Sequence, residues 1–141
     1  MLIYPLDELT EAEAAFIEAE HAKYEEKKGA ICGYTPFHYV AKEDGEIVGA
    51  ISGYTCWEEV YIDDLVVREA NRNRGIGRQL MQTVELHFAG RGFCNINLVT
   101  SAFQAPGFYK KCGYELEFVR RNKGNPKLDK YFFVKFFDAA K

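Results

Sequence analysis

Arg68-Glu69-Ala70-Asn71-Arg72-Asn73-Arg74-Gly75-Ile76-Gly77-Arg78 is the stretch on which the reading of this chain turns. Before it runs Val60-Tyr61-Ile62-Asp63-Asp64-Leu65-Val66-Val67, β-branched and aromatic enough to read as a strand. After it Ile76, Leu80, Val84 and Phe88 recur every four residues, with Met81 on the same stripe. That period predicts a helix with one buried face, closed by Gly90 or Gly92. The loop therefore joins a strand to a helix N-terminus. Such a junction turns unpaired backbone N–H groups and the positive end of the helix dipole toward solvent, which makes an anion site. Gly75 and Gly77 let the main chain come close to an anion, and Arg72, Arg74 and Arg78 add charge suited to phosphate oxygens.

Two well-known phosphate loops do not fit. The dinucleotide fingerprint needs a third glycine where this chain has Leu80, and a Walker loop needs Gly-Lys-Ser/Thr where it has Gly77-Arg78-Gln79.

Outward from the loop, strand and helix signals alternate. Thr10-Glu11-Ala12-Glu13 is a capping box that predicts a helix to about Lys28, stopped by Gly29. Phe37–Ala41 and Ile47–Ile51 flank Lys42-Glu43-Asp44-Gly45-Glu46, an Asp-Gly hairpin signal. Cys94–Thr100 is a short apolar strand following the amphipathic helix, so strand–helix–strand predicts a parallel pair. A short helix is expected around Ala105–Lys111, with Pro106 in its first turn and Gly113 at its end. Tyr114–Val119 and Tyr131–Phe137 read as two closing strands. The expectation is one α/β domain over residues 1–141 with a mixed sheet.

A hydrophobic share of 48% with 28% charged residues is that of an ordinary globular protein, and a net charge of −3 argues against a nucleic-acid partner. Cys32, Cys56, Cys94 and Cys112 lie far apart with no C-x-x-C, and His21, His38 and His87 are equally scattered, so no metal site is expected. No apolar run reaches the ~18 residues of a membrane span, and the first residues lack a signal-peptide layout. A soluble, cytoplasmic protein without a membrane partner is the expectation.

Arg72-Asn73-Arg74-Gly75-Ile76-Gly77 resembles the R/Q-x-x-G-x-G/A pyrophosphate loop of the GNAT superfamily of N-acetyltransferases. Ala105-Pro106-Gly107-Phe108-Tyr109-Lys110-Lys111-Cys112-Gly113-Tyr114 resembles the A-x-x-F-Y-x-x-x-G-[FY] signature of the same family. Six residues alone would be weak; both motifs in register are specific, and the similarity covers roughly residues 38–137.

The resemblance implies a mixed, mostly antiparallel sheet flanked by helices, with a central parallel strand pair splayed apart. It implies acetyl-CoA as co-substrate, no metal, and transfer of the acetyl group to a primary amine of a small molecule by direct attack on the thioester. Backbone groups along Leu65, Val66 and Val67 would hold the pantetheine arm, and one free N–H there would polarise the thioester carbonyl. The amides of Arg72, Asn73, Arg74, Gly75, Ile76, Gly77 and Arg78 would hold the pyrophosphate. Tyr109 would be the general acid, since a phenol of pKa ~10 can protonate a thiolate of pKa ~8.5.

For the base, Asp63 comes first and Glu59 second, because Glu59, Tyr61 and Asp63 share one strand face by the period of two. Many family members place an Asn seven residues before the tyrosine; here that position is Ala102, and Gln104 is the candidate substitute. Plainer assignments stand beside these: Tyr109 as a core tyrosine, and Glu59 and Asp63 as a solvated acidic edge. A non-catalytic acyl-CoA sensor and acetylation of a protein amine are the alternative functions. The last strand, apolar on both faces, suggests a homodimer.

Overall fold

Gly53 and its neighbours decide how the sheet of this protein opens. A computed structural model describes residues 1–138. They include α1 (Glu11–Lys28), β1 (Thr35–Glu43), β2 (Glu46–Cys56), β3 (Glu59–Val67), α2 (Ile76–Phe88), β4 (Asn95–Ser101), α3 (Pro106–Lys111), β5 (Glu115–Arg120) and β6 (Lys130–Phe136). Contacts divide the chain into a unit over Met1–Gly33 and a second from Tyr34 onward. The first is α1 with its flanks. Its capping box forms as the sequence predicts: the Thr10 amide donates to Glu13 Oε2 at 2.8 Å and the Glu13 amide to Thr10 Oγ1 at 3.3 Å. Gly29, at φ 69°, ends the helix in the left-handed region.

In the second unit the strands lie in the order β1-β2-β3-β4-β6-β5, and β3–β4 is the parallel pair. The other neighbours are antiparallel. This is the expected α/β sheet, mostly antiparallel with a central parallel pair. The Asp44-Gly45 turn joins β1 to β2, with φ of 50° and 80°. α2 buries Ile76, Leu80, Met81, Val84 and Phe88. They pack in one core with Ile51 of β2, Val60 and Ile62 of β3, Ile96 and Leu98 of β4 and Phe133 of β6. At ~1.5–3 kcal/mol for each buried side chain, this stripe outweighs helix propensity in holding α2. Gly49 permits the close approach, since a Cβ there would lie 3.1 Å from Ile76 Cγ2 and 3.2 Å from Leu80 Cδ1.

The parallel pairing runs only from Glu59–Asn95 to Ile62–Leu98. It stops beside a β-bulge: β2–β3 register passes from Ser52–Asp64 to Gly53–Ile62, leaving Asp63 as the extra residue. A bulge bends its strand and increases its twist, which carries the rest of β3 away from β4. Burial follows. Val60 and Ile62 are buried before the bulge, whereas Leu65 and Val67 pack on the core after it. The period of two therefore runs from Glu59 and Tyr61 to Asp63, which lies near Tyr54, and slips by one residue only after it, so that Leu65 rather than Asp64 turns to the core. Gly53 makes room for the bulge, because a Cβ on it would sit 2.0 Å from the Tyr61 carbonyl oxygen.

The other side of the gap is fixed by the turn before β6. The Ala102 amide donates to the Asp129 carbonyl at 2.8 Å and the Phe103 amide to the Lys127 carbonyl at 3.1 Å. Asp129 itself is buried, and its carboxylate accepts from the Asn122 amide at 2.7 Å and from Arg121 Nη1 at 2.8 Å. Those bonds hold its carboxyl below the usual range, the backbone amide contributing most.

Candidate active site

Where β3 and β4 part, a cleft of about 450 Å³ opens. Leu65 and Val67 of β3 line one wall, the turn Asn71–Asn73 and the start of α2 the floor, and Phe108 and Tyr109 of α3 with Cys112 just after it the far side. On that cleft side, β3 beyond Ile62 has no strand partner, which leaves backbone groups there open to a ligand, the Val67 carbonyl held by Arg72 Nε excepted. The turn enters α2 through two left-handed residues, Asn73 at φ 62° and Gly75 at φ 81°. Asn tolerates that region and Gly favours it. No side chain caps this helix, and its first internal bond is Gln79 N–H to the Gly75 carbonyl at 3.0 Å. The amides of Ile76, Gly77 and Arg78 are thus left pointing out of the helix start, with the dipole behind them. Gly77 packs on α3, since a Cβ there would meet Phe108 Cζ at 3.3 Å.

The three arginines differ. Arg78 and Arg72 line the cleft, and Arg72 Nε donates to the Val67 carbonyl at 3.1 Å, bracing the turn against the end of β3. Arg74 is instead gripped by Glu43 of β1, with Nη1–Oε2 at 3.1 Å and Nη2–Oε1 at 2.8 Å. Its side chain ties the turn to the hairpin rather than lining the cleft. Arg78→Ala is therefore expected to raise the KM for a phosphate-bearing cofactor by about tenfold or more, the effect of losing a charge-assisted bond. Arg74→Ala should move that KM far less. Steady-state kinetics on the two variants checks the contrast.

Tyr109 is 8% exposed, its ring against Phe108, Tyr114 and Phe133 at centroid distances of 5.1, 6.2 and 5.9 Å. Burial, with a smaller push from Cys112, raises its phenol to about 12. It stays a proton donor throughout the neutral range. Among the described residues no protein group hydrogen-bonds its hydroxyl, whereas the neighbouring Tyr114 hydroxyl is taken by Glu85 Oε1 at 2.9 Å. Lys135 closes that second network, donating to Glu85 Oε2 and to the Cys112 carbonyl, both at 3.2 Å. The two tyrosines of the signature thus divide into one free hydroxyl and one structural anchor.

Of the proposed bases, Glu59 is the more occupied. Its carboxylate accepts from the Tyr61 hydroxyl and from Asn95 Nδ2, the latter at 3.0 Å, and Asn97 Nδ2 in turn donates to Asn95 Oδ1 at 2.9 Å. The Glu59 bond is the main reason the Tyr61 phenol is pushed up to about 12. Asp63 is exposed on the bulge, close enough to Tyr54 for its charge to help raise that phenol, after desolvation. Neither carboxylate lines the cleft. Val66 turns outward from the cleft, and Gln104 Oε1 accepts from the Ser101 amide at 2.8 Å and from Thr100 Oγ1 at 3.3 Å, capping the end of β4. The cleft also holds Asn71, Phe108, Lys111 and Cys112, which sequence reasoning did not single out. Lys111 and Cys112 sit two and three residues after Tyr109, so one helical turn was the available signal. Among the described residues no group of His, Cys, Asp or Glu is arranged to hold a metal.

A family model described as the acetyltransferase (GNAT) family matches residues 4–114. A blasticidin-S acetyltransferase of Streptomyces morookaense is 34% identical over 79 residues, covering 55% of this chain and 58% of that protein. The matched region spans little more than half the length of the curated relatives. An acetyltransferase structure from Bacillus cereus superposes with a TM-score of 0.78 at 28% identity, covering 95% of this chain and 98% of that one. A Bacillus anthracis structure solved in complex with acetyl coenzyme A shares the fold at a TM-score of 0.65 and 24% identity, over 73% of this chain and 63% of that one. The open strand edge, the helix start facing it and the family match over most of the sequence lead to one conclusion: this chain belongs to the GNAT acetyltransferase family.

Proposed function

We propose that the protein binds acetyl-CoA and transfers its acetyl group to a primary amine of a small molecule, with Tyr109 protonating the leaving thiolate. The observation that carries this reading is the end of β3–β4 pairing at Ile62–Leu98, which leaves a free strand edge running into the uncapped start of α2. The fit is chemical. The pantetheine arm carries amides that a bare strand edge can pair, and a pyrophosphate suits three free amides backed by a helix dipole and Arg78.

In this reading the cleft-side backbone along Leu65 to Val67 orients the thioester, and one N–H there receives the charge that develops on the carbonyl oxygen. The amine nitrogen attacks the carbonyl carbon, the carbon–sulfur bond breaks, and Tyr109 gives its proton to the sulfur. A lysine-like amine of pKa ~10.4 must first lose a proton. Asp63, exposed beyond the last paired rung, is the base assigned here; Glu59 acts through the hydroxyl it holds on Tyr61. Holding the two reactants together can itself remove ~7–11 kcal/mol of the barrier, so a weak base suffices. The relative named for acetylating blasticidin-S supports a small acceptor. On the same proposal, residues 1–141 act as one acetyltransferase domain in the cytoplasm.

Thiol release from acetyl-CoA in the presence of an amine panel tests the activity. Amine-dependent release is expected. Tight binding of acetyl-CoA without release by any primary amine would favour a sensor instead.

A further inference from the structure

The sheet has two faces, and the candidate cleft uses one. α2 and α3 pack on the face that carries Phe37, Gly49 and Phe133. The opposite face can be followed through the strand register: Tyr54 pairs with Tyr61, Tyr61 with Asn97, and two residues further along β4, Val99 pairs with Phe132 and Phe132 with Phe118. β3 and β4 part between these rows, so this face has a β3 side and a β4 side with the gap between them.

The two sides differ in chemistry. On the β3 side Tyr34 and Tyr54 lie 5.0 Å apart, and Tyr54 and Tyr61 stack at 4.9 Å. Beside them Glu58, Glu59, Asp63 and Asp64 have no cationic partner among the described residues, whereas Glu43, Glu46, Glu85 and Asp129 each do. Across the gap the surface is apolar. Val99 and Phe118 are 49% and 50% exposed, and Phe118 stacks on Phe132 at 4.2 Å. The Arg120 guanidinium lies 5.2 Å from the Phe132 ring. At the gap, Asp63 and Asp64, without a cationic partner among the described residues, therefore face an apolar row that runs from Val99 to Phe118.

Resting on the acetyltransferase reading above, we propose that this face receives the acceptor and selects a monoamine with an aromatic body. The amino group lies at the gap beside Asp63, and the body lies over Val99 and the Phe132–Phe118 stack. From Val99 across to Phe132 is one strand spacing, roughly 5 Å, so an aryl ring on a two-carbon tether, about 6–7 Å from its nitrogen to the far ring carbon, lies over Val99 and Phe132 with Phe118 behind them. A polyamine would set its further ammonium groups over this apolar row, where they lose hydration, so the row disfavours polyamines.

The test uses the full chain with acetyl-CoA and three acceptors: 2-phenylethylamine, spermidine and methylamine. The expected order places kcat/KM for 2-phenylethylamine above both others by about tenfold or more, the scale of apolar pocket discrimination. Phe118→Ser should raise the KM for 2-phenylethylamine several-fold more than that for methylamine, with kcat little changed. Val99→Ser, on a different strand, should act in the same direction and guards against one variant misfolding. A preference for spermidine overturns the proposal. So does an unchanged KM in both variants, including the case in which Phe118→Ser only splits an oligomer and the row proves to be a contact between copies. If no amine drives thiol release, the acetyltransferase reading itself fails. If all three amines react alike, only this assignment falls.

Discussion

Tyr109→Phe is expected to lower kcat by about 10²–10⁴-fold, the usual range for removing a positioned general acid, while the KM for acetyl-CoA moves little. Phe keeps the ring packed among Phe108, Tyr114 and Phe133, so the fold should survive and the loss can be charged to the hydroxyl. The pH profile gives a second readout. The active form of Tyr109 is protonated, and burial raises its pKa to about 12. In the wild type kcat should therefore climb as the amine deprotonates and then hold, with no alkaline fall until the pH approaches that value. A phenylalanine variant that turns over as fast as the parent would reduce Tyr109 to a core residue.

Gly53→Ala should be the most damaging single change outside the chemistry. The added Cβ would lie 2.0 Å from the Tyr61 carbonyl and 2.6 Å from Phe37 Cζ. Backbone cannot yield as a flexible side chain can, so the strand pair must shift or the bulge at Asp63 must be lost. Overpacking of this kind costs ~1–3 kcal/mol in ordinary cores, and a backbone clash belongs at or above the top of that range. For a domain of this size a loss of ~3 kcal/mol corresponds to a drop of roughly 10 °C in Tm. Thermal unfolding followed by circular dichroism measures it. Activity should fall further than stability, because the bulge turns β3 away from β4. A variant that melts with the parent would mean that the bulge does not need this glycine.

Local signals were legible in the sequence and distant ones were not. The α2 stripe, the Thr10 capping box, the Asp44-Gly45 turn and the parallel relation of β3 to β4 each depend on spacing within one or two elements. The structure has them all. The bulge at Asp63 escaped because its cause, the missing Cβ of Gly53, lies on the neighbouring strand. Two candidate side chains have partners within the chain that local spacing does not reveal: the Arg74 guanidinium holds Glu43 of β1, and Gln104 bonds to the end of β4. Lys111 and Cys112 reach the cleft only because α3 presents that face to α2. The apolar character of the last strand on both sides also has a partial answer within the chain. Phe133 packs against Tyr109, and Phe132 stacks on Phe118.

The contact of Gly77 with Phe108 couples two parts of the protein that evolution would otherwise be free to tune separately. The residue that lets α2 lie close to α3 is in the first turn of α2, at the proposed phosphate site, and the ring it touches is next in sequence to the proposed acid. Enlarging position 77 would push the short helix outward and carry Tyr109 with it. Lineages that alter one of these residues should carry a compensating change at the other, so that this pair drifts together or stays fixed.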